Sequence, residues 1–169
     1  MRIGLISDTH GLLRPEVCEA FARVDHILHA GDIGGERILD SLRELAPVTA
    51  VPGNVDGASG HDVVRVTLGD LRILLTHILP RPAEPSPEVL QSLAGEQADV
   101  VLFGHSHLPH DEHVGGVWYL NPASAGPRRF DYPVSVAILE SRRGKWTAWH
   151  VPLDERSAAE LQQRMNQIR

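Results

Sequence analysis

Short apolar runs recur between residues 3 and 103, and each one ends just before a side chain that can bind a metal ion. The five side chains are spaced 22 to 28 residues apart, and they are Asp8, Asp32, Asn54, His77 and His105. An interval of this length accommodates one strand and its connection to the next. Because open α/β sheets bind their ligands at the carboxyl ends of the strands, the pattern predicts that these side chains meet at one edge.

Size, charge and cysteine content narrow the class of protein. A chain of 169 residues with 42% hydrophobic side chains fits one soluble domain over residues 1–169. The net charge of −6 disfavours nucleic acid and anionic membranes as partners. Cys18 is the only cysteine, and Asp8 interrupts the N-terminus too early for a signal peptide. We therefore expect a cytoplasmic protein without a membrane span.

The order of apolar segments predicts the secondary structure. In the first half, strands at 2–7, 25–29 and 48–51 alternate with helices at 15–23 and 35–45. The predicted later strands are 63–68 and 71–76, joined as a hairpin through Gly69-Asp70, then 100–103, 117–120, 134–140 and 145–151. A proline-rich loop at 78–87, a short helix at 88–93 and a final helix capped by Asp154, with a buried stripe of Ala158, Leu161, Met165 and Ile168, complete the prediction. We expect two sheets packed face to face with helices outside, the first sheet largely parallel.

The polar side chains after the strands have the chemistry of a two-ion metal centre. Asp8 and His10 lie two residues apart at a strand end, and this ligand pair suits Mn²⁺, Fe²⁺ and Zn²⁺. Asp32 follows a glycine and has two oxygens with which to bridge two ions, and Asn54 offers a carbonyl oxygen. The remaining nitrogen ligands come from His77, His105 and His107.

The order of these motifs resembles that of the calcineurin-like metallophosphoesterases. The motifs are Asp8-Thr9-His10, Gly31-Asp32, Gly53-Asn54, His77 and Gly104-His105-Ser106-His107. Asn121-Pro122-Ala123-Ser124 is similar to the Asn-Pro-Gly-Ser motif of the small single-domain phosphodiesterase branch. The resemblance extends over residues 1–151 and implies an α/β fold, a four-layer α-β-β-α sandwich of two mixed sheets.

The resemblance also implies a site and a reaction. One divalent transition-metal ion would be held by Asp8, His10, Asp32 and His107, and the second by Asp32, Asn54, His77 and His105. Mn²⁺ is the ion most often used with such enzymes, and Fe, Zn or Ni are compatible with these ligands. A metal-bridging hydroxide would hydrolyse a small phosphodiester, with Asp32, Asn54 and His77 as catalytic residues. Small members of the branch often form homo-oligomers.

Two departures from the family pattern bear on the substrate. Many members have a histidine directly after the motif asparagine to protonate the leaving oxygen, whereas this chain has Val55. Loss of a general acid typically costs ~10²–10⁴-fold in rate, so we expect weak activity on phosphomonoesters. His77 is followed by Ile78 instead of glycine, which removes a plausible substrate contact. A guanidinium suits phosphate, and Arg128 or Arg129 after the Asn121 loop could bind it; Arg128 is our candidate, together with Asn54.

Several alternatives stay open at the level of sequence. One alternative is a non-catalytic protein-interaction scaffold on the same fold. Another is a nuclease, which the acidic net charge disfavours. His110 and His113 could extend His105 and His107 into a zinc-binding tract, but a surface turn between strands is the simpler interpretation. His29 is either a buried core residue or a group supporting Asp32, and Asp56 either supports a ligand or forms a turn.

Overall fold

The computed structural model describes residues 1–79 and 98–168, which form ten strands, three α-helices and one short 3₁₀ helix. The strands are β1 (Arg2–Ile6), β2 (His26–His29), β3 (Val48–Ala50), β4 (Val63–Leu68), β5 (Leu71–Thr76), β6 (Val100–Leu102), β7 (Pro109–Val114), β8 (Val117–Pro122), β9 (Ser135–Arg142) and β10 (Lys145–Pro152). The helices are α1 (Pro15–Phe21), α2 (Glu36–Arg43) and α3 (Glu155–Ile168), and the 3₁₀ helix is Asn54–Asp56. The predicted helix at 88–93 and most of the proline-rich loop lie outside the described residues.

The ten strands form two mixed five-stranded sheets. The first has the order β10-β9-β1-β2-β3, in which β1, β2 and β3 are parallel and β9 and β10 are antiparallel to their neighbours. The second has the order β4-β5-β6-β8-β7, with a parallel centre and an antiparallel strand at each edge. The predicted hairpin of β4 and β5 is confirmed, and Leu68 pairs with Leu71 across it.

The main core lies between the two sheets. Buried aliphatic side chains of β1 and β9 in the first sheet face those of β5, β6 and β8 in the second, and the cluster includes Leu5, Leu139, Leu75, Leu102 and Leu120. A separate cluster joins the other face of the first sheet to α1 and α2. The sheets are therefore packed face to face with helices outside, and the predicted α/β class is confirmed.

Local chemistry explains where the helices begin. Pro15 occupies the first turn of α1, where its missing N–H costs no hydrogen bond. Asp154 caps α3 as predicted, since its Oδ1 accepts a hydrogen bond from Ser157 N at 2.8 Å. The predicted stripe of α3 is only partly right, because Leu161 is buried but Ala158 is exposed. None of the described helices is long and apolar enough to cross a membrane.

β7 was not predicted, and the placement of His110 and His113 in a turn was wrong. Both residues lie within β7, which pairs antiparallel with β8 at the edge of the second sheet. Edge strands commonly carry polar side chains, so the apolar alternation that marks a strand is weak here. His113 instead stacks on Trp118 of β8, with ring centroids 4.7 Å apart.

Candidate metal centre

Side chains following the carboxyl ends of β1 and β6 form the first part of the site. Asp8 and His10 follow β1, and His107 lies on the loop after β6. His107 Nε2 lies 3.3 Å from both Asp8 Oδ1 and His10 Nε2. Potential ligand atoms of the three residues all lie within 4.8 Å of one another. The two sheets therefore each supply ligands to the same point.

Asp32 lies between this group and the remaining candidate ligands. Its Oδ2 is 3.6 Å from His10 Nε2, whereas its Oδ1 is 3.2 Å from His77 Nε2. Val55 N donates a hydrogen bond to Oδ1 at 3.0 Å, which fixes the orientation of the carboxylate. The two oxygens of Asp32 thus face two different sets of ligands, as a bridging carboxylate requires.

Asn54, His77 and His105 form the second part of the site. Asn54 Oδ1 lies 3.2 Å from His77 Nε2 and 3.1 Å from His105 Nδ1. His77 is fully buried, and its Nδ1 is 2.7 Å from the carbonyl oxygen of Ala30. Because a carbonyl only accepts, Nδ1 donates this hydrogen bond, and Nε2 is the ring nitrogen that faces the site.

The backbone of the ligand loops has unusual conformations. Eight non-glycine residues in the described ranges have positive φ, and five of them are predicted ligands: Asp8, His10, Asp32, His105 and His107, with φ between 47° and 66°. Such values are uncommon for L-residues and cluster at functional sites. The loops are held in these conformations by the surrounding structure.

Glycines allow the ligand loops to approach one another. A Cβ at Gly53 would lie 2.1 Å from Asp32 N, and one at Gly104 would lie 1.9 Å from Ser7 Oγ and 2.8 Å from Ala30 O. Gly31 has φ +88°, and a Cβ there would lie 2.6 Å from His77 Nδ1. The glycines beside the ligands are therefore required by close packing.

Asp56 connects two of the ligand loops. Its carboxylate accepts hydrogen bonds from Ile33 N at 2.9 Å and from Gly34 N and Gly53 N, both at 2.8 Å. Partial burial acts to raise the pKa of this carboxyl, but the three backbone donors hold the pKa below its ordinary value. Asp56 therefore combines the two roles that the sequence left open, because it closes the turn that begins at Gly53 and joins this turn to the loop after Asp32.

Polar groups that are not candidate ligands form hydrogen bonds to the ligand residues and to the loops that carry them. Ser7 Oγ donates to Asp8 Oδ2 at 2.6 Å, a contact that the sequence alone did not indicate. His29 is buried, and its Nε2 lies 3.0 Å from Thr9 Oγ1 between the first two ligand loops. Asn121 Nδ2 donates to Gly104 O at 2.9 Å and Ser124 Oγ to Asp8 O at 3.0 Å. Both side chains thus shape the loops under the ligands.

The titratable groups are poised as ligands. Burial acts to raise the pKa of Asp8, but the neighbouring His107 and the hydrogen bond from Ser7 Oγ hold the pKa below its ordinary value. Burial is also the main cause of the lowered pKa of His10, followed by the charge of Arg129, and of the lowered pKa of His105, followed by His77. Neutral imidazoles and an ionised carboxylate are the forms that coordinate metals.

The residues present fit a pair of divalent cations. Asp8 Oδ1 is fully buried and accepts no hydrogen bond within residues 1–79 and 98–168, although His107 Nε2 lies 3.3 Å away. Asp8 also forms a second group, with Asp32 and His77, whose ligand atoms lie within 4.8 Å of one another. Two carboxylates, an amide oxygen and four imidazoles suit first-row transition metals.

The structure gives Arg128 a different environment from the one predicted. Its Nη1 donates to Tyr132 O and to Glu160 Oε2, both at 2.7 Å. Its Nη2 donates to Asp154 Oδ1 at 2.9 Å and to Ser157 Oγ at 2.7 Å. Both terminal nitrogens are therefore used in holding α3, so we no longer assign Arg128 as a substrate contact.

A family model described as the calcineurin-like phosphoesterase superfamily domain matches residues 1–144. The chain belongs to this superfamily. A probable metallophosphoesterase of Methanocaldococcus jannaschii is 33% identical over 163 residues, covering 92% of this chain and 83% of that protein. Phosphodiesterase YfcE of Escherichia coli K12 is 28% identical over 168 residues, covering 83% of this chain and 88% of YfcE. These relatives identify the chain as a metal-dependent phosphoesterase.

A solved structure of low sequence identity shares the fold of this phosphoesterase. The crystal structure of Vps29 from Chaetomium thermophilum superposes with a TM-score of 0.72 at 22% identity, covering 92% of this chain and 89% of Vps29. At this identity the similarity establishes the metallophosphoesterase fold alone.

Proposed function

We propose that this phosphoesterase hydrolyses small phosphodiesters at a centre of two divalent transition-metal ions. The observation that carries the proposal is the position of Asp32, whose two oxygens face His10 on one side and His77 on the other. The ligand sets implied by the family motifs fit this division. The proposed enzyme is a single cytoplasmic domain over residues 1–169.

The proposed ions would supply Lewis-acid chemistry, by lowering the pKa of water and neutralising charge on the phosphoryl group. Mn²⁺ is our first choice, and Fe, Zn or Ni are compatible with the same donors. Asp32 would set the spacing of the ions, and His77 would be kept in its ligating tautomer by Ala30 O. Asn54, whose Oδ1 lies between His77 and His105, would contact both the second ion and the substrate.

A groove beside the ligands supports a preference for diesters. It has a volume of about 470 Å³, within the roughly 300–1,000 Å³ of small-molecule sites. Ile33, which follows Asp32, lines the groove together with Leu39 and Val55. Val55 is 50% exposed and follows Asn54. We infer that the groove receives an ester group of the substrate, which Val55 can contact but cannot protonate.

Activity measurements with matched variants test the proposal. Wild-type protein loaded with Mn²⁺ is expected to hydrolyse bis(p-nitrophenyl) phosphate and to be weak on glycerol phosphate, whose alkoxide leaving group needs protonation. Asp32→Asn and His105→Ala are expected to lose about 10²-fold or more in kcat/KM, since each removes a proposed ligand. Asp62→Asn and His113→Ala change the same residue types at exposed positions. Equal activity in all five proteins would exclude the proposed site.

A non-catalytic scaffold remains the second candidate function. Two observations favour it, the fold shared with Vps29 and the presence of Val55 where many members have the leaving-group histidine. The seven candidate ligands brought together in the site favour catalysis, because a scaffold has no need of them. Protein that binds no Mn²⁺ and stays inactive on diesters would support the scaffold.

A further inference from the structure

Adjacent arginines, Arg128 and Arg129, have different surroundings. Arg128 is bound to Asp154 and Glu160 through both terminal nitrogens. Arg129 is exposed, and its side chain has neither a hydrogen bond nor an ion pair within residues 1–79 and 98–168. The described part of the chain thus leaves one of the two guanidinium groups available to an anion.

The segment that carries Arg129 is fixed against the first ligand loop. Ala125 N donates to Ser7 O at 3.0 Å and Gly126 N to Asp8 O at 3.1 Å. Arg14 Nε, from the end of the loop that follows His10, donates to Gly126 O at 3.2 Å. The bonds of Arg128 to α3 anchor the other side of the segment.

The segment that carries Arg129 lies against the loop that leads to His10. Gly126 approaches this loop so closely that a Cβ there would lie 2.3 Å from Thr9 O and 2.5 Å from Asp8 O, and Arg129 follows three residues later. A cation beside proposed divalent ions is unfavourable unless an anion joins them. A phosphodiester anion has two non-bridging oxygens and matches the fork of a guanidinium.

We propose that Arg129 is a substrate-binding residue that donates hydrogen bonds to a non-bridging phosphoryl oxygen of the diester, on the His10 side of the site. The inference rests on the proposed phosphodiesterase function and extends it to a contact supplied by the loop after Ser124. Arg128 holds this loop in place by binding α3. The two arginines therefore divide the tasks of anchoring the loop and binding the phosphate.

Kinetics and phosphate binding of Mn²⁺-loaded Arg129→Gln test this contact. We expect kcat/KM for bis(p-nitrophenyl) phosphate to fall roughly tenfold, as is typical of one lost hydrogen bond to a charged group. The Kd for inorganic phosphate, measured by calorimetry, should rise by a similar factor while metal content stays at the wild-type value. Arg129→Lys keeps the positive charge but loses the forked guanidinium. Its kcat/KM and phosphate Kd should lie between those of wild type and Arg129→Gln.

Two further variants distinguish the loss of a phosphate contact from a change in net charge and from a change in protein stability. Arg143→Gln removes an equal charge from the turn between β9 and β10, at the opposite end of β1 from Asp8, and should match wild type in kcat/KM and phosphate Kd. Arg128→Gln should lower Tm because it removes the ion pairs of Arg128 with Asp154 and Glu160, whereas Arg129→Gln should leave Tm at the wild-type value.

The outcomes distinguish this inference from the proposed function. If wild type is active and Arg129→Gln has the same kcat/KM and phosphate Kd, the role of Arg129 is overturned while the proposed function stands. Absence of wild-type activity would overturn the proposed function, and phosphate affinity would then decide the inference. If Arg129→Gln binds phosphate as tightly as wild type, or if wild type binds none, the proposed contact does not exist.

Discussion

Several predicted ligand residues have backbone conformations that their residue types do not predict. Positive φ at five of the seven predicted ligands costs of order 1–2 kcal/mol at each residue. Hydrogen bonds such as His10 N to Asp32 O, at 2.9 Å, hold the loops in this state. The rest of the fold therefore bears the cost of the backbone conformations that aim the ligand side chains at the site.

His29 makes a testable contribution to the pH dependence of stability. Burial lowers the pKa of His29 from 6.5 to about 4, so its neutral form stabilises the fold fully above pH 6.5. As the pH falls from 6.5 towards 4, the unfolded chain binds a proton that the folded chain does not. The unfolding free energy should decrease by roughly 3 kcal/mol from this residue, at about 1.4 kcal/mol per pKa unit.

Urea denaturation of the metal-free protein between pH 7 and pH 4 measures this contribution. The unfolding free energy of wild type should fall more steeply than that of His29→Gln, whereas exposed His113→Gln should follow wild type. Parallel curves for wild type and His29→Gln would show that His29 does not titrate as its burial requires.

The sequence predicted the candidate ligands because their order and spacing are properties of the chain itself. It did not predict which arginine is bound to α3, since Asp154 and Glu160 meet Arg128 only after the last helix has packed. The role of Asp56 was left open for a similar reason, because its three backbone donors come from two separate loops.

At the scale of elements, the 3₁₀ helix is predicted to depend on Asp56. Asp56→Ala would leave Ile33 N, Gly34 N and Gly53 N without their carboxylate acceptor, and hydrogen bonds to charged groups are worth about 1.5–3 kcal/mol. We expect a loss of about 2–3 kcal/mol in unfolding free energy, together with weaker binding of Mn²⁺. Chemical denaturation and metal titration measure the two effects.

Asp62→Ala is the matched control for this prediction. Asp62 is exposed and lies between the 3₁₀ helix and β4, so its substitution should change stability by no more than about 0.5 kcal/mol. If Asp56→Ala were as stable as Asp62→Ala, the carboxylate could not be what joins the two loops.

Buried elements were predicted better than edge elements. β6 is wholly apolar, and β1 is apolar after Arg2, because both faces of these strands are covered. β7 is polar because it lies at an edge, and Ala158 of α3 is exposed although it fits the helical spacing. In both cases the neighbouring element decides burial, and its position depends on tertiary packing.

At the scale of the whole molecule, the site joins the two sheets. Asp8, Asp32 and Asn54 follow strands of the first sheet, whereas His77 and His105 follow strands of the second. Ions bound to both sets would stabilise the folded state by mass action, by about 2.7 kcal/mol at a free concentration of 100 Kd. For a protein of this size we expect Tm to rise by about 5–10 °C.

Thermal unfolding with Mn²⁺ and with a chelator, combined with elemental analysis, tests this effect. Wild type should hold close to two ions per chain and lose its additional stability on chelation. Asp32→Asn should hold fewer ions and show a smaller rise in Tm. A rise of the same size in Asp32→Asn would mean that Mn²⁺ binds elsewhere.

The order of strands in the first sheet has a consequence for biosynthesis. β1 is the first strand to leave the ribosome, yet one of its two neighbours is β9, where Arg2 pairs with Glu140. One of the two edges of β1 can form its hydrogen bonds only after β9 has been translated, late in the synthesis of the chain. Contacts of such long sequence separation also slow folding. One edge of this strand therefore keeps its backbone N–H and C=O groups unpaired by β9 until late in synthesis.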